Sequence, residues 1–377
     1  MHSTRRQWLQ GMAVLASMPL ASWATTTQAP QFAAAWAVGA ELYVGVLQAP
    51  DLPDQGLRIQ HAHVVPTRAH GMTQLTDGSL LFASRRPGDW LLRVHPNGKE
   101  QWQWIEADRA FNGHVIASHD GKHLYTTETD LADSQGLIGV RDVHTLEKIA
   151  EWRTGGMDPH QLLLDRDGSL VVANGGIPTQ PETGRRKLKL THMDSSIARL
   201  LPAQEGHIAG QWRLADTRLS LRHLAWGPEV AWAKDRRWLG IALQAEHDSA
   251  EDKRQAPVLA LFDGQQLHAA PLPAEAEWQG YGGDISSNGT HFAVSCPRAD
   301  VLSWWQPPAQ ASEVGTCVSL DSQQGVYCIS NPSVMHPLQT ATREMWSGGA
   351  QQVMQWPNKA AVAATQAMAL DNHWVQI

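Results

Sequence analysis

The sequence predicts an all-β fold, a single-domain β-propeller with seven blades. Three observations lead to this fold class. Short apolar segments recur in pairs around Asp-Gly or Asn-Gly turns, the pairs repeat about every fifty residues, and long helical periodicity is absent. Four-stranded repeats of this period are typical of propellers. A pair of β-sandwiches, the alternative architecture, would not explain why the repeats share one phase.

Four hairpins superpose on their turn glycines. Each is a short apolar strand, an Asp-Gly or Asn-Gly turn and a second β-branched or aromatic strand, and they span residues 69–84, 113–128, 159–174 and 282–296. The turn dipeptides supply the positive φ angles that tight hairpins require. Weaker copies at 35–46, 222–236 and 317–328 bring the count to seven, as in WD40/YVTN-like propellers. Only residues 360–369 hint at a helix.

The N-terminus predicts export. The twin arginine Arg5-Arg6 is followed by an apolar run from Gly11 to Leu20 and a small-residue cleavage pattern that ends at Ala24. This order is that of a twin-arginine (Tat) signal peptide. The run is too short and too interrupted to span a bilayer as an anchor helix. The sequence therefore predicts a signal peptide at residues 1–24 and a periplasmic propeller at residues 25–377, with no membrane span.

Charge and motifs exclude several function classes. Removal of Arg5 and Arg6 takes the formal net charge from −7 to −9, and the one basic run, at 185–189, is short. Nucleic-acid binding needs clustered Lys and Arg, so a nucleic-acid partner is not expected. The chain has no Gly-x-Ser-x-Gly elbow, zinc-protease helix or Cys-x-x-Cys-His site, which disfavours nucleophilic and c-haem chemistry. No catalytic residue can be named.

The three cysteines fit an oxidising compartment. Cys317 and Cys328 flank a segment that reads as one hairpin with its turn near residues 322–323. In that register the two thiols face each other, which allows a periplasmic disulfide and leaves Cys296 unpaired.

Four histidines recur at one position of the repeat. His70 and His160 lie eight residues before their turn glycines, His114 lies seven before, and His223 opens the fifth hairpin in the same role. The first strand of each blade lines the central channel, so these imidazoles should form a ring near one mouth. Neutral imidazole binds iron, copper or zinc. We predict a metal site for iron or copper, and the alternative is a hydrogen-bonding ring or an organic-anion site.

Further polar residues could support a cofactor at this ring. Glu128 and Glu246 end second strands, where a carboxylate could orient imidazoles or simply be a solvated loop end. Arg222 directly precedes His223, and an inward guanidinium would favour an anionic ligand. Asn174 begins a glycine-rich strand exit, and Arg185 lies in a long loop, 178–189, that is either a lid over the channel or a surface excursion.

An ordered series of motifs resembles a known bacterial family. The series comprises residues 114–128, 139–142, 155–160, 172–177, 184–185, 193 and 220–225. It is similar to Tat-exported propellers known only as a domain of unknown function, number fifteen-thirteen, over roughly residues 30 to 375. The pattern covers His70, His114, Glu128, His160, Asn174, Arg185, Arg222 and His223. Thr179-Gln180 stands where members often have Thr-His, which puts this loop in doubt as part of a metal site.

The resemblance implies a role in iron acquisition. Members tend to be encoded beside imelysin-type lipoproteins and a di-haem-type oxidoreductase, in clusters associated with iron uptake. The expectation is a monomeric periplasmic protein that holds iron or copper and passes it to such a partner. Two alternatives stay open: a metal-dependent oxidoreductase for ferrous or cuprous oxidation on the same site, and a metal-free interaction scaffold.

Overall fold

The chain folds into a ring of seven antiparallel sheets. The computed structural model describes residues 29–50, 56–178, 190–274, 276–330, 344–349, 352–363 and 368–377. Within these ranges every sheet has four strands, and the inner strands contact one another in sequence around the ring. The predicted seven-bladed β-propeller is therefore confirmed. The predicted signal peptide lies outside the described residues.

The strands of each blade are given from the channel outwards. Blade 1 has β28 (Met368–Gln376), β1 (Gln31–Val38), β2 (Glu41–Gln48) and β3 (Arg58–Val64), and blade 2 has β4 (Ala69–Gln74), β5 (Leu80–Ser84), β6 (Trp90–Val94) and β7 (Glu100–Trp104). Blade 3 has β8 (Arg109–Ala117), β9 (His123–Asp130), β10 (Gln135–Asp142) and β11 (Lys148–Met157), and blade 4 has β12 (Pro159–Leu164), β13 (Leu170–Asn174), β14 (Ser196–Leu201) and β15 (His207–Trp212).

The last three blades follow the same order. Blade 5 has β16 (Leu219–Glu229), β17 (Arg237–Ala245), β18 (Leu259–Phe262) and β19 (Leu267–Ala269), blade 6 has β20 (Ile285–Ser287), β21 (Phe292–Cys296), β22 (Val301–Gln306) and β23 (Thr316–Ser322), and blade 7 has β24 (Cys328–Ser330), β25 (Met345–Gly348), β26 (Gln352–Trp356) and β27 (Ala360–Ala363). One short helix, α1 (Ala250–Gln255), follows β17, and 3-10 turns lie at Leu190–His192 and Pro202–Gln204.

The glycine turns behave as the sequence predicts. The φ angles of the four turn glycines are +82° at Gly78, +67° at Gly121, +82° at Gly168 and +85° at Gly289. Such angles are sterically costly for residues with a Cβ atom, so Gly fixes the position of each turn. The strands around these turns bury apolar side chains between neighbouring blades, and Trp90, Trp305 and Trp356 are among the largest fully buried side chains.

The C-terminal strand closes the ring, which corrects the predicted helix. Residues 360–363 form β27, and Met368–Gln376 form β28, whose residue Val375 pairs with Ala33 of β1. Of the residues that hinted at a helix, 360–363 and 368–369 are therefore parts of two strands, because pairing with β26 and β1 overrides a weak local propensity. In the described part of the chain, no helix has the length and apolar character that a membrane crossing requires.

The predicted hairpin around the cysteines is wrong. Cys317 lies on β23, the outer strand of blade 6, whereas Cys328 begins β24, the inner strand of blade 7. The segment between them connects two blades, so the two thiols do not face each other across a hairpin. Cys296, Cys317 and Cys328 are all free thiols. Burial raises the pKa of Cys296 to about 12, which keeps this thiol protonated and inert.

Candidate metal centre

Five inner strands bring histidine side chains to one buried cluster. His70 comes from β4, His114 from β8, His160 from β12, His223 from β16 and His373 from β28, and all five are at least nine-tenths buried. The structure thus brings the four sequence-predicted histidines together and adds a fifth. We call these five residues the histidine cluster.

Each of the five histidines lies where its inner strand slips in register. On β4, Ala69 pairs with Ser84 and Met72 with Phe82, so an extra residue stands beside His70. The same irregularity occurs on β8 between 111 and 115, on β12 between 159 and 162, on β16 between 221 and 224, and on β28 between 370 and 374. A β-bulge re-aims the side chain next to it. The bulges are therefore the local feature that accompanies the convergence of the imidazoles.

Two glycines allow the closest approach of neighbouring blades. A Cβ atom on Gly71 would lie 2.8 Å from Nδ1 of His114, and one on Gly113 would lie 2.8 Å from Cδ2 of His70. Gly113 also has a φ of +103°, a conformation that residues with side chains rarely adopt. Residues with side chains at these positions would push the His70 and His114 rings apart.

The ring nitrogens lie close together. The Nε2 atom of His223 is 2.8 Å from Nε2 of His160 and 2.8 Å from Nε2 of His373, and Nε2 of His160 is 3.4 Å from Nε2 of His70. Each of His70, His114, His223 and His373 offers a nitrogen within 4.8 Å of the others. A ring nitrogen has one proton or one lone pair, so Nε2 of His223 cannot make two linear hydrogen bonds at once.

Burial favours the uncharged form of four histidines of the cluster. Burial is the main cause that lowers the pKa of His70, His114, His160 and His223 well below the usual value of 6.5, and the positive forms of neighbouring histidines lower it further. Neutral imidazole is the form that binds a metal ion. The four side chains are therefore ready to act as ligands near neutral pH.

A buried carboxylate orients the fifth histidine. Nδ1 of His373 is 3.3 Å from Oδ2 of Asp284, a residue of the loop that enters β20. The Asp284 carboxylate also accepts the backbone N–H groups of Ile285 and Ile329. A carboxylate on one ring nitrogen favours a proton there and leaves the other nitrogen free to face the cluster. This carboxylate–imidazole pair is common beside metal ions.

The donor set fits a first-row transition metal. Among the described residues, four ring nitrogens of the cluster have no hydrogen-bond partner: Nδ1 of His70, Nε2 of His114, Nδ1 of His160 and Nδ1 of His223. Nitrogens that coordinate one ion at about 2.0–2.1 Å in a tetrahedron lie about 3.3 Å apart, and the observed separations of 2.8–3.4 Å bracket that spacing. Imidazole suits iron, copper, zinc and nickel, whereas Mg²⁺ and Ca²⁺ prefer oxygen.

Glu128 and Asn174 are engaged in contacts of their own. Oε1 of Glu128 accepts from Nη2 of Arg141 at 2.7 Å, and Lys148 Nζ lies 3.4 Å from Oε2, so the carboxylate belongs to a buried ion pair inside blade 3. Nδ2 of Asn174 donates to Ser196 Oγ and to the Thr154 carbonyl. These contacts connect strands to one another. For both residues, a role at the metal centre stays a prediction that none of these contacts supports.

Arg222 lies in a buried ion group beside the cluster. Its Nη1 donates to Oδ2 of Asp158 at 2.7 Å, and Arg86 contacts the other oxygen of the same carboxylate. Burial alone would raise the pKa of Asp158, but the two guanidiniums hold it below its usual value. The predicted inward position of Arg222 agrees with its complete burial. Arg185 and the loop from 179 to 189 lie outside the described residues.

Sequence reasoning missed His373, although a signal was present. The first predicted unit, 35–46, begins on what is now β1 and β2, so it had no inner strand of its own. A closed ring needs one, and the remaining strand had to come from the C-terminus. The segment Leu370-Asp371-Asn372-His373-Trp374 contains the only histidine of the last fifty residues apart from His336. The position of His373 on an inner strand could have been inferred from the need to close the ring.

Fold and site define a seven-bladed propeller with a histidine cluster on its inner strands. The chain belongs to the family described as "Protein of unknown function (DUF1513)", whose model matches residues 63–377. The family resemblance predicted from the motifs is thereby confirmed. A comparison with curated proteins found no match.

Three solved structures are similar to this chain at low identity, and one of them has a TM-score above 0.5. A functionally unknown protein from Desulfotomaculum acetoxidans DSM 771 is 9% identical with a TM-score of 0.53, over 92% of this chain and 100% of that one. Sqt1 of Saccharomyces cerevisiae is 10% identical with a TM-score of 0.48, over 90% and 81%. The Cps50 (Swd1) β-propeller domain of Myceliophteria thermophila is 12% identical with a TM-score of 0.46, over 69% and 78%. At these identities the likeness concerns the fold alone.

Proposed function

We propose that this protein binds a first-row transition-metal ion, iron or copper, through the histidine cluster. The observation that carries the proposal is the convergence of five buried imidazoles from five blades, with four of them held neutral. The main candidate ligands are His70, His114, His223 and His373. His160 is a further candidate, because its Nε2 atom contacts the Nε2 atoms of His70 and His223. A bound ion would supply Lewis acidity and redox chemistry.

The alternative of a purely hydrogen-bonded ring explains the geometry less well. A buried nitrogen without a partner costs about 1–3 kcal/mol, and among the described residues the cluster has four such nitrogens, one each in His70, His114, His160 and His223. The Nε2 atom of His223 also lies 2.8 Å from the Nε2 atoms of both His160 and His373, and a neutral ring nitrogen can make only one linear hydrogen bond. A cation shared by these lone pairs would explain both contacts, whereas protonation is opposed by burial. The ligand set is also neutral and rich in nitrogen, which favours iron or copper over hard cations.

We propose further that the metal centre operates in the periplasm as part of iron acquisition. The twin-arginine pattern at residues 1–24 supports the location, and the role in iron acquisition is what the resemblance of the motifs to this family implies. The centre would hold the ion and pass it to an imelysin-type lipoprotein or a similar partner. Fractionation of cells that express the wild type and an Arg5→Lys/Arg6→Lys variant would test the location, and cytoplasmic wild-type protein would refute it.

Metal binding is tested on the purified chain. Metal-depleted protein is titrated with Cu²⁺, with Zn²⁺ and, without oxygen, with Fe²⁺, and its metal content is measured after dialysis. We expect one ion per chain, and nitrogen hyperfine structure from several imidazoles in the Cu²⁺ electron paramagnetic resonance spectrum. The His223→Ala variant removes the nitrogen that touches two neighbours and should weaken binding by at least about tenfold.

A matched control separates the centre from surface histidines. His207 is an exposed histidine on the outer strand β15, so His207→Ala should bind the metal like the wild type. Folded wild-type protein that takes up none of the three ions would refute the metal proposal. Uptake followed by oxygen-dependent turnover of Fe²⁺ would instead support the oxidoreductase alternative on the same site.

A further inference from the structure

The guanidinium of Arg222 has unused hydrogen-bond donors inside the protein. Arg222 is fully buried and makes one ion pair, from Nη1 to Asp158. Its Nε and Nη2 groups have no hydrogen-bond partner among the described residues. A guanidinium presents its N–H groups as a planar fork that matches carboxylate and phosphate oxygens. The free side of Arg222 is therefore suited to an oxyanion.

The charges around Arg222 do not saturate it. Asp158 shares its one carboxylate between Arg86 and Arg222, so this group carries one more positive than negative charge. Glu246 is a buried carboxylate within electrostatic reach of Arg222 and offsets part of that charge, but it makes no hydrogen bond to Nε or Nη2 of Arg222. Gly175 lets the Arg222–Asp158 pair pack against the backbone, because a Cβ atom there would lie 2.8 Å from both Nη1 of Arg222 and Oδ2 of Asp158.

This ion group adjoins the histidine cluster along two strands. Arg222 immediately precedes His223 on β16, and Asp158 stands two residues before His160 on β12. After burial, the charge of Arg222 is among the causes that lower the pKa of both histidines. A ligand on the free donors of Arg222 would therefore lie near the inner strands of blades 4 and 5, which carry His160 and His223.

A bound metal ion would leave this region strongly positive. Neutral imidazoles contribute no charge, so a divalent ion would add two positive charges to a buried site that already contains Arg222. Burying uncompensated charge costs several kcal/mol per ion. The nearby carboxylates of the described residues are Asp158, which two arginines share, Asp284, which pairs with His373, and Glu246, which acts on Arg222. Their three negative charges do not balance the four positive charges of Arg86, Arg222 and a divalent ion. A negative ligand from solution would offset the excess.

We infer that Arg222 binds a small oxyanion, a carboxylate or a phosphate, that shares the channel with the metal ion and strengthens its binding. The inference rests on the proposed metal function and specifies the ligand that completes the site. Because linkage is reciprocal, the metal ion strengthens anion binding by the same factor.

The test measures the coupling between metal and anion. Metal-depleted full chain is titrated with Co²⁺, whose d–d absorption reports its ligands, in perchlorate, acetate and inorganic phosphate at equal ionic strength. We expect acetate or phosphate to strengthen Co²⁺ binding about tenfold over perchlorate and to shift the absorption bands. The effective anion identifies the ligand as a carboxylate or a phosphate.

Variants assign the coupling to Arg222. Arg222→Lys keeps a positive charge near Asp158 but loses the fork, and Arg222→Gln loses both. Each variant should bind Co²⁺ in perchlorate, and the anion effect should fall to less than about twofold. Arg213→Gln removes a half-exposed arginine that pairs with Asp194, and this control should keep the full effect.

The outcomes separate the two proposals. Equal Co²⁺ affinity in all three salts would overturn the anion inference and leave the metal function standing. An anion effect that survives in a folded Arg222→Lys or Arg222→Gln protein would also overturn it. Folded wild-type protein that binds no Co²⁺ in any salt would overturn the metal function itself.

Discussion

Lowering the pH from 7.5 to 5.5 should strongly destabilise the metal-free protein. Four histidines have pKa values well below 6.5 because they are buried. The unfolded chain takes up protons near pH 6.5 that the native state does not, so the free energy of unfolding falls as the pH falls. Each such histidine contributes about 1.4 kcal/mol between pH 7.5 and 5.5, and four contribute about 5 kcal/mol. Typical domains have only about 5–15 kcal/mol in total.

Carboxylates contribute little to the change in the free energy of unfolding between pH 7.5 and pH 5.5. The pKa of Glu151, about 2, and the lowered pKa of Asp158 mean that native-state ion pairs survive at pH 5.5. Unfolded carboxylates, with ordinary values of 3.8 and 4.5, are also almost fully ionised there. The change between pH 7.5 and 5.5 therefore reports mainly on histidines.

Urea unfolding with a chelator present, followed by tryptophan fluorescence at both pH values, measures the change. His160→Asn should reduce the loss by about 1.4 kcal/mol, and the exposed-site variant His207→Asn should leave it unchanged. Each protein is compared with itself at two pH values, so a uniform destabilisation by the substitution cancels. A loss below about 1 kcal/mol in the wild type would refute the description of the cluster as buried and neutral.

Three substitutions test the supporting structure. Glu128→Gln leaves the buried Arg141 without its counterion, so urea unfolding should show a loss of about 3–5 kcal/mol with one metal ion still bound per chain. Gly113→Ala places a methyl group against the neighbouring ring at a φ of +103°, and calorimetry should show both a lower melting temperature and weaker metal binding. Asp284→Asn removes the carboxylate beside His373, and metal affinity measured by titration should fall about 10–100-fold. Unchanged metal affinity in the Gly113→Ala or Asp284→Asn variant would contradict these roles. Unchanged stability of the Glu128→Gln variant would do the same for the buried ion pair.

The blade count could be predicted because hairpin turns have strict local chemistry. Gly78, Gly121, Gly168 and Gly289 mark turns whose positive φ angles other residues avoid. Counting back from these glycines located His70, His114 and His160 on the inner strands. The position of the turn within each repeat depends on local sequence, so it is the same in the folded protein as in the prediction.

The closure of the ring and the boundaries between blades depend on long-range strand pairing, and the predictions from the sequence failed at both. The partner of β28 is β1, more than three hundred residues earlier, so the strand at His373 has no local signal of its inner position. Cys317 and Cys328 look like a hairpin because two short strands flank a turn, yet each pairs within a different sheet. Only the pairing partners distinguish a turn within a blade from a connection between blades.

The bulges link the fold to the proposed function most directly. In regular strands successive side chains alternate between the two faces of the sheet, and an added residue changes where the next side chain points. The five inner strands that supply histidine slip in register beside it, whereas β20 and β24, which supply none, pair without a shift. Register shifts also occur between outer strands. Among the seven inner strands, however, a shift lies beside the histidine on all five strands that supply one, and this coincidence argues that these bulges serve the convergence of the five imidazoles.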